Sequence, residues 1–264
     1  MKRMFALLLL SAAALFAKEY YSKVEPYEVL TIASNVSGQV TFADEKREGK
    51  KLDGKAYIKI DDKLDRIELE NVRKKITLLR NTLKLNEAMQ KNYEEILAKK
   101  ETNYDNIREL KTKSLIEKDK EFYDLVTTQN QLISTEKEVD NLKVQINDLN
   151  LRAEQLQKSI DDKSLSATGK VLYQLSVKEG QVVNPGMELA KVADISRAKL
   201  TIFLNADDMK NAKSRVLYLN GEKSRYKISR VWAIADSTHL SSYKAEIIID
   251  APKYFSELMK VELR

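Results

Sequence analysis

The residues that could do chemistry are few and isolated. His239 is the only histidine of the 264 residues and stands in a Thr-His-Leu-Ser-Ser stretch. An imidazole with no second histidine and no spaced carboxylates has the surroundings of a surface residue, not of a base or a metal ligand. Asp207 and Asp208 are adjacent and could pair as carboxylates, but capping a short helix is the simpler reading. No phosphate-cradling glycine loop, nucleophile motif or histidine–carboxylate cluster occurs. The chain has no cysteine, which excludes disulfides, thiolate metal sites, cysteine nucleophiles and the acylated cysteine of a bacterial lipoprotein. The sequence therefore predicts no enzyme, no cofactor and no metal. Trp232, the single tryptophan, is expected in a core.

The elements that would carry other work are spelled out by composition. Charged residues make up 33% and aromatics 7%, a balance that favours long helices over one compact globule. The formal charge is +6, from 46 basic residues interspersed among 40 acidic ones. Interspersed signs do not make the clustered basic face that nucleic acid requires, so no nucleic-acid partner is expected. Residues 1–17 read as a Sec-type signal peptide. Lys2 and Arg3 precede an apolar run from Phe5 to Phe16, and the small Ala17 comes before the polar Lys18. A retained anchor is the alternative. Twelve residues of helix reach about 18 Å, short of a hydrocarbon core of about 30 Å, so cleavage and a periplasmic location are the expectation.

Glycine and proline show the organisation. Between Gly54 and Gly169 there is neither, over 114 residues, which predicts long helices. Leu69, Val72, Ile76, Leu79 and Leu83 follow at alternating steps of 3 and 4, and the register continues through Tyr93, Leu97, Tyr104 and Ile107, with polar Asn86, Gln90 and Lys100 among its seam positions. A second register starts at Phe122 and Leu125, passes through Gln129 and Leu132, and ends on Val139, Leu142, Ile146, Leu149, Ala153, Leu156 and Ile160. This alternation is that of a left-handed coiled coil. Two antiparallel helices of similar length fit better than one, because Lys111–Ser114 is polar and Ser114 with Glu117 spells a capping box.

The segments flanking the helices resemble each other. Gly38 and Gly49 are 11 apart, as are Gly169 and Gly180. Val40 and Val171 follow the first glycines, Glu48 and Glu179 precede the second, and Gly54 and Gly186 come next. Two such small β-units cannot each bury a face alone and must pack on one another. The text G-x-V…E-G-x-x-V-x-x-G-x-x-L…D from Gly169 to Asp194 resembles a lipoyl/biotinyl-type domain. Such a domain, split by a helical hairpin, is similar to the periplasmic adaptor, or membrane fusion protein (HlyD-like), family. The resemblance implies an α+β, elongated chain: a long antiparallel coiled-coil hairpin inserted into a split lipoyl-like β-domain, followed by a small β-barrel. In order, the parts are a signal peptide 1–17, an N-terminal strand and first lipoyl half 18–62, the hairpin 63–162, the second lipoyl half 163–196 and the barrel 197–264. Acyl carriers modify a lysine where this chain has its helices. Lys63 is the one candidate there, and it is expected to begin the first helix instead.

The resemblance also implies partners: an inner-membrane transporter of the resistance–nodulation–division (RND) or ABC type, a TolC-like outer-membrane channel, and further copies of the chain as a homo-oligomer. Many members dock on such channels through a tip arginine, a leucine four residues on and a serine seven further. Here Leu110 takes the leucine position, Asn106 the arginine position and Glu117 the serine position, with Arg108 two residues out of step. The tip candidates are therefore Arg108, Leu110, Ser114 and Ile116. After Leu200 the period changes to two, in runs separated by turn residues that include Asn220-Gly221, predicting four to six strands. Two rival readings stay open: a free periplasmic coiled-coil scaffold or chaperone, and an acyl-carrier component of an enzyme complex.

Overall fold

The computed structural model describes residues 18–235, His239 and 242–264. The leader-like segment 1–17 and its cleavage position lie outside the described residues, as do Thr238, Leu240 and Ser241. Two compact units form: Ile60–Leu165, and the chain on either side of it.

The first unit is a helical hairpin of α1 (Lys63–Arg108) and α2 (Leu115–Asp162), each about 70 Å long at about 1.5 Å per residue. Between Leu69 and Ile107 every residue of the expected α1 register, and no other, is withdrawn from solvent. On α2 the seam from Val139 onward is also as expected, with Val139, Leu142, Ile146, Leu156 and Ile160 buried. Nearer the turn the register needs correction. Phe122 and Gln129 are exposed, and the seam runs instead through Leu125, Thr128, Leu132 and Thr135. Two threonines escaped notice because hydroxyls read as polar. Each donates its Oγ1 proton to the carbonyl four residues back, Thr128 to Asp124 at 3.0 Å and Thr135 to Gln131 at 2.9 Å, which leaves the methyl to pack.

The open end of the hairpin is clamped by polar groups around Leu69, Leu156 and Ile160. Asp65 accepts from Ser159 at 2.7 Å and pairs with Lys163 at 2.9 Å, and Arg152 grips Glu68. Partial burial pushes the Asp65 carboxyl up, but the hydrogen bonds from Lys163 and Ser159 outweigh it and hold the group below the usual carboxylate range.

In the second unit the two repeats are sewn together by each other's turns. The turn at Glu48-Gly49 bonds the strand after Gly169: Gly49 N–H donates to Leu172 at 2.8 Å, and Glu48 accepts from the Leu175 N–H at 2.6 Å. Reciprocally, Gly180 N–H donates to Val40 at 2.8 Å, and Val40 N–H to Gln181 at 2.8 Å. The strands β2 (Gly38–Ala43), β3 (Lys51–Ile60), β4 (Ser164–Leu175) and β5 (Val182–Val183) enclose Val40, Leu52, Tyr57, Ile58, Leu172 and Val183.

Two long strands continue out of this part. β1 (Lys18–Ala33) pairs β6 (Glu188–Leu204) from Val24 onward, and β11 (Leu258–Leu263) before it. β6 runs unbroken through residues 196 and 197 and goes on to pair β10 (Tyr243–Asp250). With β7 (Leu217–Leu219), β8 (Glu222–Lys223) and β9 (Ile228–Ala235) the sheet curls around Leu200, Ile202, Leu204, Leu217, Ala245, Ile247, Val261 and Leu263. The Asn220-Gly221 turn joins β7 to β8, and both residues have positive φ, 52° and 87°.

Trp232 is not in this core. It lies half-buried on the outer side of the sheet, with Lys244 Nζ at 4.8 Å and the Arg230 guanidinium at 5.4 Å from its ring. A β-bulge between Ile228 and Arg230 shifts the alternation and turns the indole outward.

Candidate functional site

At the hairpin turn, as at Leu78, Leu85 and Leu151 along the helices, apolar side chains are left uncovered. α1 ends at Arg108, and the chain reverses through Glu109–Lys113 without a glycine, with the Leu110 N–H donating to Ile107 at 3.1 Å. α2 then starts from a complete capping box. Glu117 N–H donates to Ser114 Oγ at 3.3 Å, and Ser114 N–H donates to Glu117 at 3.0 Å. That N–H, with Lys113 beside it, holds the Glu117 carboxyl below its ordinary range. Lys118 Nζ reaches back to the Arg108 carbonyl at 2.8 Å, and the Tyr104 and Phe122 rings lie 5.6 Å apart across the two helices. The turn is thus pinned from both sides.

The four residues expected at the tip all lie in this turn or within one helical turn of it, but their roles divide. Ser114 is taken up by the cap, and the Arg108 guanidinium lies 3.3 Å from Glu109. Leu110 and Ile116 remain as apolar surface, 45% and 80% exposed. Sequence reasoning missed Leu115 and Tyr123, 74% and 68% exposed. Their signal was present as apolar residues off the seam register. Ile116 and Tyr123 line a groove on α2 with Asp119, Lys120 and Asp124. An apolar cluster of this kind rimmed by both charge signs is suited to docking on another protein.

Other candidates are placed away from any reactive arrangement. Lys63 is the first residue of α1. His239 is exposed, its ring stacked on Phe203 at 3.7 Å. Asp207 and Asp208 do not cap α3 (Ala206–Asn211). Asn205 does, accepting from the Asp208 N–H at 2.8 Å. Asp208 instead receives the Tyr20 hydroxyl, with Arg215 at 3.1 Å and Lys18 at 3.5 Å. Among the described residues no group of histidine and carboxylates could hold a metal, and no helix is long and apolar enough to cross a membrane.

No protein-family model matches the chain, and no curated protein matches it in sequence. Solved structures do match. The membrane fusion protein Spr0693 from Streptococcus pneumoniae R6 aligns with a TM-score of 0.61 at 9% identity, over 94% of this chain and 99% of that one. MacA from Actinobacillus actinomycetemcomitans aligns with a TM-score of 0.59 at 19% identity, over 94% of this chain and 79% of that one. A MacA-MexA chimera carrying the Pseudomonas aeruginosa MexA α-hairpin domain gives 0.54 at 16% identity, over 94% and 81%. The chain thus has the fold of membrane fusion proteins.

Proposed function

We propose that the chain is a periplasmic adaptor of an export system, joining an inner-membrane transporter of the RND or ABC type to a TolC-like outer-membrane channel, as a homo-oligomer and without catalysis. The observation that carries this reading is the pinned turn with Leu110, Leu115 and Ile116 left in solvent. A long coiled coil whose cap, ion pairs and seam are all satisfied has no internal use for apolar residues at its far end. The shared fold with membrane fusion proteins supports the same reading.

The test is in-cell crosslinking from a photoreactive residue at Leu110. Capture of an outer-membrane channel is the expected result. Capture of nothing, or of the chain's own copies alone, with a working control on the outer face of β9, overturns the tip assignment and favours the free scaffold.

A further inference from the structure

β4, β6 and β1 lie side by side, and one face of them carries a cleft of about 530 Å³. Its floor is a row across the three strands. Val171 on β4 stands opposite Ala193 on β6, and Ala193 stands opposite Val29 on β1, so all three point to the same side. The alanine is the small residue of the row, and the valines rise on either side of it. Val29 is 46% exposed, and Tyr173, further along β4, is 59% exposed. Ile195 and Phe255 complete the apolar lining. A volume of this size, mostly apolar and edged by a few polar groups, is that of a small-molecule site.

The wall at Phe255 is held in a strained conformation. Ser256 has φ 73°, in the left-handed region that a serine rarely adopts. Two backbone bonds to β1 keep it there: Ser256 N–H donates to Val24 at 2.8 Å, and Val24 N–H donates to Glu257 at 2.9 Å. Asn220, the other non-glycine residue of positive φ among those described, is explained by its tight turn between β7 and β8. Ser256 belongs to no hydrogen-bonded turn. What its backbone does is set Phe255 and the Ser256 side chain on the cleft. Strain of this kind collects where a ligand is clamped.

The charged groups of the cleft do not cancel. Lys23, Glu25 and Lys199 line it, and Glu25 is the one acid among its lining residues. Glu25 stands opposite Lys199 in the β1–β6 register and balances it. Lys23 lies two residues along on the same face, and among the described residues it makes no ion pair. Its ammonium is therefore the uncompensated charge beside the apolar floor. Lys23 and Val29 are six residues apart on β1, about 20 Å at about 3.3 Å per residue. That separation suits an extended acyl chain with a charged head at one end.

We propose that this cleft binds a single-chain amphiphile with an anionic head, its apolar body along the Val171–Ala193–Val29 row between Tyr173 and Phe255 and its head at Lys23. Free fatty acids and lysophospholipids share this chemistry. The proposal adds a ligand to the chain and does not rest on the adaptor reading above.

The test uses the full chain and the fluorescent fatty acid dansyl-undecanoate. The expected result is saturable binding with blue-shifted emission. Dodecanoate, or a lysophosphatidylglycerol of the same chain length, displaces the probe, and whichever does so at lower concentration tells a free acid from a lipid. Neutral dodecanol and cationic dodecyltrimethylammonium should be at least about tenfold weaker, the factor expected for one charge-assisted contact. Lys23→Gln removes the cation, and Val29→Glu puts a second carboxylate at the floor. Both positions are exposed, so both chains should keep their circular dichroism and lose at least about tenfold in probe affinity. Leu85→Ser, at an exposed apolar site of the hairpin, should bind as the parent does. No saturable binding, equal displacement by dodecanol, or unchanged affinity in both cleft variants would each overturn the proposal. An equal loss in Leu85→Ser would place the probe on the hairpin and overturn it as well. Channel capture from Leu110 without amphiphile binding would remove the cleft's ligand and leave the adaptor reading standing.

Discussion

Asp208 gathers three partners at the edge of the curled sheet, and the strand that brings two of them comes from the far end of the chain. Tyr20 and Lys18 lie on β1, Arg215 beyond α3. Burial, followed by the hydrogen bond to Asp208, raises the Tyr20 hydroxyl above its ordinary range and keeps it a donor. Tyr20→Phe removes that donor while Arg215 still neutralises the carboxylate. The expected loss is about 1–2 kcal/mol, seen as a lower denaturation midpoint. Asp65 gives a pH dependence. Its folded-state pKa is depressed, so its contribution is present above the unfolded value of about 4 and is lost as pH falls through the folded value. The hairpin should therefore weaken on acidification below about pH 4, and Asp65→Asn should flatten that part of a stability–pH curve. An unchanged curve would remove Asp65 from the clamp.

At the scale of the element, the hairpin has a tight half and a loose half. Large aliphatic residues fill the α2 seam from Val139 onward, whereas threonines on α2 and Asn86, Gln90 and Lys100 on α1 fill much of the rest. Leu142→Ala should cost about 2–5 kcal/mol of hairpin stability through lost burial and a cavity. Thr128→Val should be neutral or stabilising by up to about 1 kcal/mol. Its hydroxyl donates to a carbonyl of its own helix, and removing it orphans neither group. Denaturation followed at a helical circular dichroism band separates the two. Ser114→Ala breaks the capping box and should cost about 0.5–2 kcal/mol, with hydrogen exchange rising first at residues 115–118.

At the scale of the molecule, β1 and β6 are shared between the lipoyl-like part and the curled sheet. Residues 18–23 pair with β11 along its whole length, from Leu258 to Leu263. Deleting them uncovers a strand edge and removes Tyr20 from Asp208. The expected outcome is aggregation, or loss of the cooperative transition of the β-unit, in light scattering and thermal unfolding. A deleted chain that unfolds as sharply as the parent would show that the strand is dispensable.

Much of this protein was legible in the chain because local periodicity carried it. The glycine gap announced the helices, the 3–4 alternation identified every α1 seam residue, and Ser114 with Glu117 located the start of α2. The repeat spacing announced two β-units that need each other, and Leu110 and Ile116 came from the tip motif of the family the sequence resembles; the fold leaves both exposed. What the sequence did not decide depended on contacts distant along the chain. Whether Thr128 or Gln129 enters the seam is a matter of which one faces α1, since both are polar as text. Trp232 went outward because of a bulge that only the pairing with β10 creates. Asp208 became a hub through Tyr20, 188 residues away. Leu78, Leu85, Val144 and Leu151 are as apolar in the sequence as the seam residues, and only the pairing of α1 with α2 decided which the hairpin covers and which it leaves in water.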